Sequence, residues 1–292
     1  MAITNSRRDM LQVGFGAATL SLSAKMAGLP GKPAAAAGHP GGGSIAEDLF
    51  YREDWFGEPW RKPETMLLIH GNGESSIVWF AWVPALAQEF RLLRPDLPGL
   101  GRATIPSHFE WSLPNLAAYI ARILDEAGVD SAHIVGAKTG GAIAMQFAAD
   151  YPTRTRTLTV VSGPASVIDI VKPSNIPQQD RLGSHASKEM VDFWNDQYAT
   201  APREPIKGLT AALAKFDLAR NGTLQRIKSP TLIITADRSA LQSVEKVRQY
   251  QTLIPNSRLV VLYSDAYHLA VANPHDCVSN VLSFIKDANA KP

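Results

Sequence analysis

The chain predicts an α/β fold, a mostly parallel central sheet covered on both faces by helices and carrying a helical lid insertion. Three observations predict it. Short apolar runs suited to buried strands alternate with amphipathic helical stretches from residue 66 to residue 289. One strand, at 132–136, passes through a glycine-flanked turn directly into a helix. Between about 165 and 225 the alternation breaks, with Pro173, Pro177, Pro202 and Pro205 set among helical patches.

Each element has a local reason. Residues 66–71, Met-Leu-Leu-Ile-His-Gly, form an apolar run ending in glycine, as in a buried strand. The stretch 79–90 reads as a helix with Val83, Leu86 and Ala87 on one face, and 90–96 as the next strand. At 113–127, Leu113, Leu116, Ala117, Ile120 and Leu124 recur at helical spacing. Strand 133–136 leads to helix 140–151, and 157–162 is a strand rich in β-branched residues. Pro230 introduces the strand at 231–235, followed by a helix at 243–254, a last strand at 259–263 and a closing helix at 277–289. Helical patches at 188–198 and 206–219 make the insertion a lid over the strand ends. The predicted organisation is a leader at 1–40, a core at 41–164, the lid at 165–225 and the rest of the core at 226–292.

Composition narrows the class. With 292 residues, 45% hydrophobic and 19% charged, the chain can bury one large core and a small cap. A net charge of +2 from scattered Lys and Arg gives no nucleic-acid footprint. The single Cys277 excludes an internal disulfide framework, and its apolar neighbours make it a buried small hydrophobe. At the N-terminus, Ser6-Arg7-Arg8-Asp9-Met10-Leu11-Gln12 resembles the twin-arginine export motif. A mildly apolar stretch and the small residues Pro33-Ala34-Ala35-Ala36-Ala37 follow. That order predicts a periplasmic or secreted protein without stable membrane anchoring, because the stretch is too short and too weakly apolar for a comfortable span.

Five motifs in sequence resemble the α/β-hydrolase family. They are Leu68-Ile69-His70-Gly71-Asn72-Gly73, Asp96-Leu97-Pro98-Gly99-Leu100-Gly101, Val135-Gly136-Ala137-Lys138-Thr139-Gly140-Gly141, Ser229-Pro230-Thr231-Leu232-Ile233-Ile234 and Ser264-Asp265-Ala266-Tyr267-His268. The resemblance implies the α/β-hydrolase fold over residues 48–288, with 132–144 as the nucleophile elbow. It implies an oxyanion hole from the backbone N–H groups of Asn72 and Thr139, and His268 as the proton-transferring base. His70 is expected to brace its loop rather than to react.

Two positions depart from the family pattern. Lys138 stands where the nucleophilic serine belongs, and Ser239 stands where the acid belongs, with Asp237 two residues early. Asp237 is therefore the candidate to orient His268, or else a cap of its own loop. Acyl transfer to a lysine gives an amide, which stalls an ester cycle. A free lysine titrates near about 10.4, so a nucleophilic role demands a large downward shift. Three readings stay open: a Schiff base through Lys138, a charged Lys138 that polarises a carbonyl while His268 activates water, or a non-catalytic binding pocket. The expected ligand is a small apolar molecule with a carbonyl, handled without metal or organic cofactor. Trp79, Trp82 and Trp194 are candidates to line the pocket, with ordinary packing as the competing explanation. The observation that separates an enzyme from a non-catalytic binding protein is whether Lys138 faces a closed pocket within hydrogen-bonding reach of His268, or lies in solvent or against a fixed carboxylate.

Overall fold

The computed structural model describes residues 48–166 and 176–290, all within the unit that spans Gly38–Pro292. The predicted leader and part of the predicted lid, 167–175, lie outside the described residues.

Seven strands form one sheet in the order β1-β3-β2-β4-β5-β6-β7. They are β1 (Tyr51–Asp54), β2 (Glu64–Ile69), β3 (Phe90–Pro95), β4 (Ala132–Ala137), β5 (Thr155–Val161), β6 (Thr231–Ala236) and β7 (Ser257–Leu262). Every neighbouring pair is parallel except β1 with β3. Alternation along each strand divides the core. Leu67 and Ile69 of β2 join one apolar cluster while Met66 and Leu68 join the other, as a period of two requires. The first cluster is closed by α2 (Leu113–Glu126), α3 (Thr139–Asp150) and α7 (Val244–Gln251). The second is closed by α1 (Val83–Leu86), α8 (Leu269–Ala272) and α9 (Pro274–Asn289). Caps fix two of these helices: Ser112 Oγ accepts from the Asn115 N–H, and Ser243 Oγ accepts from the Lys246 N–H. Among the described residues no helix is long and apolar enough to cross a membrane.

Two elements differ from the sequence expectation. The helix expected at 79–90 shrinks to a 3-10 turn at Ser76–Trp79 and the short α1. Val78, Trp79, Trp82, Val83 and Leu86 are all buried, so their spacing reflects a packed connection rather than a long helix face. Strand β1 was not expected, because Tyr-Arg-Glu-Asp lacks an apolar run. It holds an edge through Arg91–Glu53 at 2.8 Å and Arg94–Asp54 at 2.7 Å.

Between β5 and β6 the chain carries α4 (Gln178–Leu182), α5 (Lys188–Thr200) and α6 (Arg203–Lys215). They are tied to loops that leave the carboxyl ends of the strands, where parallel sheets place their sites. Asn72 Nδ2, after β2, donates to the Ile206 carbonyl and to Thr210 Oγ1 of α6, each at 3.1 Å. The Arg181 carbonyl of α4 accepts the N–H groups of Tyr267 and His268 at 2.9 and 2.7 Å.

Candidate active site

Lys138 sits on the turn between β4 and α3 with φ +52° and ψ −121°, a strained conformation for a residue with a side chain. Two backbone bonds hold it there: its N–H donates to the Val161 carbonyl and its carbonyl accepts from Gly141, both at 2.9 Å. The turn needs glycine at 140, since a Cβ would lie 2.2 Å from the Ile69 carbonyl oxygen. This is the elbow geometry expected from the sequence, with the lysine at its apex.

The lysine does not stand alone. Its Nζ forms an ion pair and hydrogen bond with Glu74 Oε1, and Glu74 Oε2 accepts the Gly71 N–H at 2.8 Å. The His268 Nε2 lies 3.1 Å from the same Glu74 Oε1 but is not aligned for a hydrogen bond, and has no other partner among the described residues. Lys138, Glu74 and His268 thus converge on one carboxylate oxygen. The lysine stem passes directly over the loop, so that a Cβ on Gly71 would meet Lys138 Cε at 2.7 Å. Both arms of the sequence expectation are met in part: Lys138 lies against a fixed carboxylate, and it lines one cavity with His268.

All three groups are buried, and burial competes with their mutual charges in setting their titration. Burial alone would push the Glu74 carboxyl up. The charges of His268 and Lys138 and the lysine's hydrogen bond outweigh it and hold Glu74 at about 2, against an ordinary 4.5. Burial pushes His268 down, Glu74 opposes it, and the Lys138 and Arg181 charges add to the fall, leaving His268 at about 3 against 6.5. His268 is therefore a neutral imidazole at neutral pH, and the lysine is the cation that then balances Glu74. Burial also pushes the Lys138 ammonium below the usual lysine value, with Glu74 pulling it back and Arg181 pushing it further down.

These groups line a cavity of about 20 Å³ together with Asn72, Arg181, Trp194 and Tyr198. That is room for about one water molecule. The Trp194 ring stands edge-on to the His268 ring at 5.4 Å, so the predicted lid tryptophan does reach the site. Larger grooves occur, one of about 790 Å³ beside Arg61 and Lys286, but they contain none of this chemistry.

The other expected site residues are placed as follows. Asn72 lines the cavity, and the N–H groups of Asn72 and Thr139 donate no hydrogen bond among the described residues. Thr139 opens α3, where a first-turn N–H has no helical acceptor. His70 braces its loop as expected: its Nε2 accepts the Leu97 N–H at 2.9 Å, leaving Nδ1–H to donate to the Gly71 carbonyl at 2.7 Å. Two expectations are corrected. Asp237 is engaged elsewhere, with Oδ1 accepting the Ser264 N–H at 2.8 Å and Oδ2 facing Arg238 at 3.4 Å, and it makes no bond to His268. A carboxylate two residues early on its loop caps that loop instead of reaching the histidine. Trp79 and Trp82 are core residues, packed edge to face at 4.9 Å, and neither lines the cavity.

Glu74 and Arg181 were missed. The signal for Glu74 was available: a lysine at a buried turn demands a carboxylate, and β2 neighbours β4, so an acid just after His70-Gly71 is within reach. Nothing in the sequence singled out Arg181, whose place depends on how the lid docks. Among the described residues, no three His, Cys, Asp or Glu side chains are grouped to hold a metal ion.

Comparisons with known proteins agree with this architecture. A family model described as the alpha/beta hydrolase fold matches residues 64–175. The pimeloyl-[acyl-carrier protein] methyl ester esterase of Aeromonas hydrophila is 26% identical over 75% of this chain and 94% of its own length. Among solved structures, the enol-lactonase from Burkholderia xenovorans superposes with a TM-score of 0.69 at 20% identity, covering 82% of this chain and 96% of that one. The meta-cleavage product hydrolase from Pseudomonas fluorescens gives 0.68 at 20% identity, covering 85% and 98%. With the Lys138 turn, the loop after β2 and the His268 loop all at the carboxyl ends of a seven-stranded sheet, this chain has the α/β-hydrolase fold.

Proposed function

We propose that the protein is a hydrolase of a small carbonyl compound, an ester, a lactone or a ketone with a cleavable C–C bond, in which water attacks directly. The observation that carries this reading is the water-sized cavity at which a neutral His268, Glu74 and the Lys138 ammonium meet. The water oxygen would bond to the carbonyl carbon while its proton passes to His268 Nε2. The Lys138 charge, with the Asn72 and Thr139 N–H groups, would stabilise the resulting oxyanion. The bond to the leaving group then breaks, and the leaving group takes the proton back from His268. No acyl group is ever carried by the protein, which removes the obstacle that an amide at Lys138 would pose.

Glu74 favours this reading over an imine. A carboxylate against Nζ stabilises the ammonium form, whereas Schiff-base formation needs the free amine. Similar proteins named as an esterase, an enol-lactonase and a meta-cleavage product hydrolase support the reaction class. The test is a panel of esters, lactones and diketones, with intact-mass analysis of enzyme quenched during turnover. Turnover with no adduct, and a loss of about 10²–10⁴ in kcat for His268→Ala, is the expected result. An acyl adduct on Lys138, or a borohydride-reduced imine there, overturns it. The narrow cavity supports a second reading, a ligand-binding protein without turnover. Binding of panel compounds with none of them cleaved would establish that reading instead.

A further inference from the structure

We infer that the ligand of this site carries an anionic oxygen group, a carboxylate first of all, and that Arg181 binds it; this rests on the reading of the cavity as a substrate site. The charges lining the cavity do not balance. Among the described residues that line it, Lys138 and Arg181 are cations and Glu74 is the one anion, while His268 is neutral at neutral pH. Lys138 is consumed by Glu74. Among the described residues Arg181 forms no ion pair with a carboxylate. Its one side-chain bond runs from Nε to the Ile176 carbonyl at 3.2 Å, and its two terminal NH₂ groups have no acceptor among the described residues. Two acids of neighbouring loops are occupied elsewhere: Asp265 accepts the Ser184 N–H, and Asp237 faces Arg238.

The backbone that carries this half-buried guanidinium is nevertheless held in place. The Arg181 carbonyl takes the N–H groups of both Tyr267 and His268, so the residue is fixed to the backbone of the proposed base. A planar fork on an anchored backbone, with its outer donors unused, is the arrangement that recognises a two-oxygen anion. A wholly neutral ligand docking against this half-buried guanidinium would strip water from it and leave nothing in exchange. An anionic one balances the site and orients the carbonyl toward Lys138 and His268. A phosphoryl group presents the same chemistry, and the test separates the two.

The experiment is calorimetric titration of the full chain with levulinate, with its neutral counterpart methyl propyl ketone, and with inorganic phosphate. These probes are not hydrolysed by the proposed route, so the outcome does not depend on turnover. Levulinate is expected to bind about 10- to 100-fold more tightly than the ketone. That preference should collapse in Arg181→Gln and return in part in Arg181→Lys, with thermal melting showing that both variants fold. Phosphate displacing levulinate at lower concentration, again dependent on Arg181, supports the anion subsite and assigns it to a phosphoryl group. Equal affinity for levulinate and ketone, binding of neither, or a preference that survives Arg181→Gln overturns the inference. An intact preference with no ester, lactone or diketone cleaved refutes the hydrolase reading alone.

Discussion

Replacing Lys138 by Met keeps most of the stem that lies over Gly71 but removes the charge that Glu74 faces. The Glu74 side chain is 5% exposed, so its carboxylate has almost no water to turn to. It is held at about 2 against an ordinary 4.5 by the charges of His268 and Lys138 and by the lysine's hydrogen bond, against the opposing effect of burial. At neutral pH His268 is uncharged, so the lysine is the cation that remains opposite Glu74. Breaking a buried pair from one side costs about 3–5 kcal/mol, so Lys138→Met is expected to lose about 3 kcal/mol at pH 7. In a domain of this size that is a fall in Tm of about 6–12 °C. The loss has a pH signature. In the wild type the Glu74 contribution is present above 4.5 and disappears as the pH falls toward about 2. In the variant, burial raises the folded-state value above 4.5, so the penalty grows as the pH rises and shrinks toward pH 4.5. Adding Glu74→Gln removes the orphaned charge, and the double variant should recover most of the loss. Urea unfolding of the four proteins at pH 5 and pH 8, followed by tryptophan fluorescence, measures the cycle. A single-variant cost below about 1 kcal/mol at pH 8, or costs that simply add in the double variant, would refute the reasoning.

The low value of His268, about 3, predicts a kcat/KM profile without the usual histidine inflection near 6.5; an acid limb there, in protein shown to be folded by circular dichroism, contradicts it. The same depression makes the His268 contribution to stability complete above 6.5 and progressively lost as the pH falls toward about 3. Asp237→Asn should change kcat/KM by less than about threefold, whereas the corresponding change in a working triad costs about 10⁴; a loss approaching that size would mean that Asp237 reaches His268 during turnover. Lys138→Ser alone should gain little esterase activity, since Glu74 would remain beside Nε2 and compete with the new hydroxyl. Lys138→Ser with Glu74→Gln should gain more, and nitrophenyl acetate hydrolysis decides between them. Replacing Arg7 and Arg8 by lysines should retain the protein in the cytoplasm if the leader acts as we propose, as cell fractionation will report.

Much of this molecule was legible because its strands are buried on both faces. Residues 66–69, 133–136 and 231–235 are apolar without interruption, and a run of that kind has few alternatives to a central strand. β1 escaped notice for the opposite reason: an edge strand held by Arg91–Glu53 and Arg94–Asp54 carries its pairing in side-chain charge, which looks like a loop until the partner is known. The site divides in the same way. Lys138 and His268 were readable from the order of motifs along the chain. Glu74 depends on which strands are neighbours, and Arg181 on how an insertion folds back. The acid was misplaced because loop length alone does not say where a carboxylate points, and two residues were enough to turn Asp237 onto Ser264.

The carboxylate shared by Lys138 and His268 also bears on descent. From the present state, a return to serine by one change passes through a protein with a buried unpaired acid, and loss of the acid first leaves a buried unpaired lysine. Either intermediate is less stable than both endpoints. Stability alone therefore couples the two positions: a change at either one is penalised, a paired change is not, and the lysine is held at the elbow by its carboxylate independently of any part it plays in turnover.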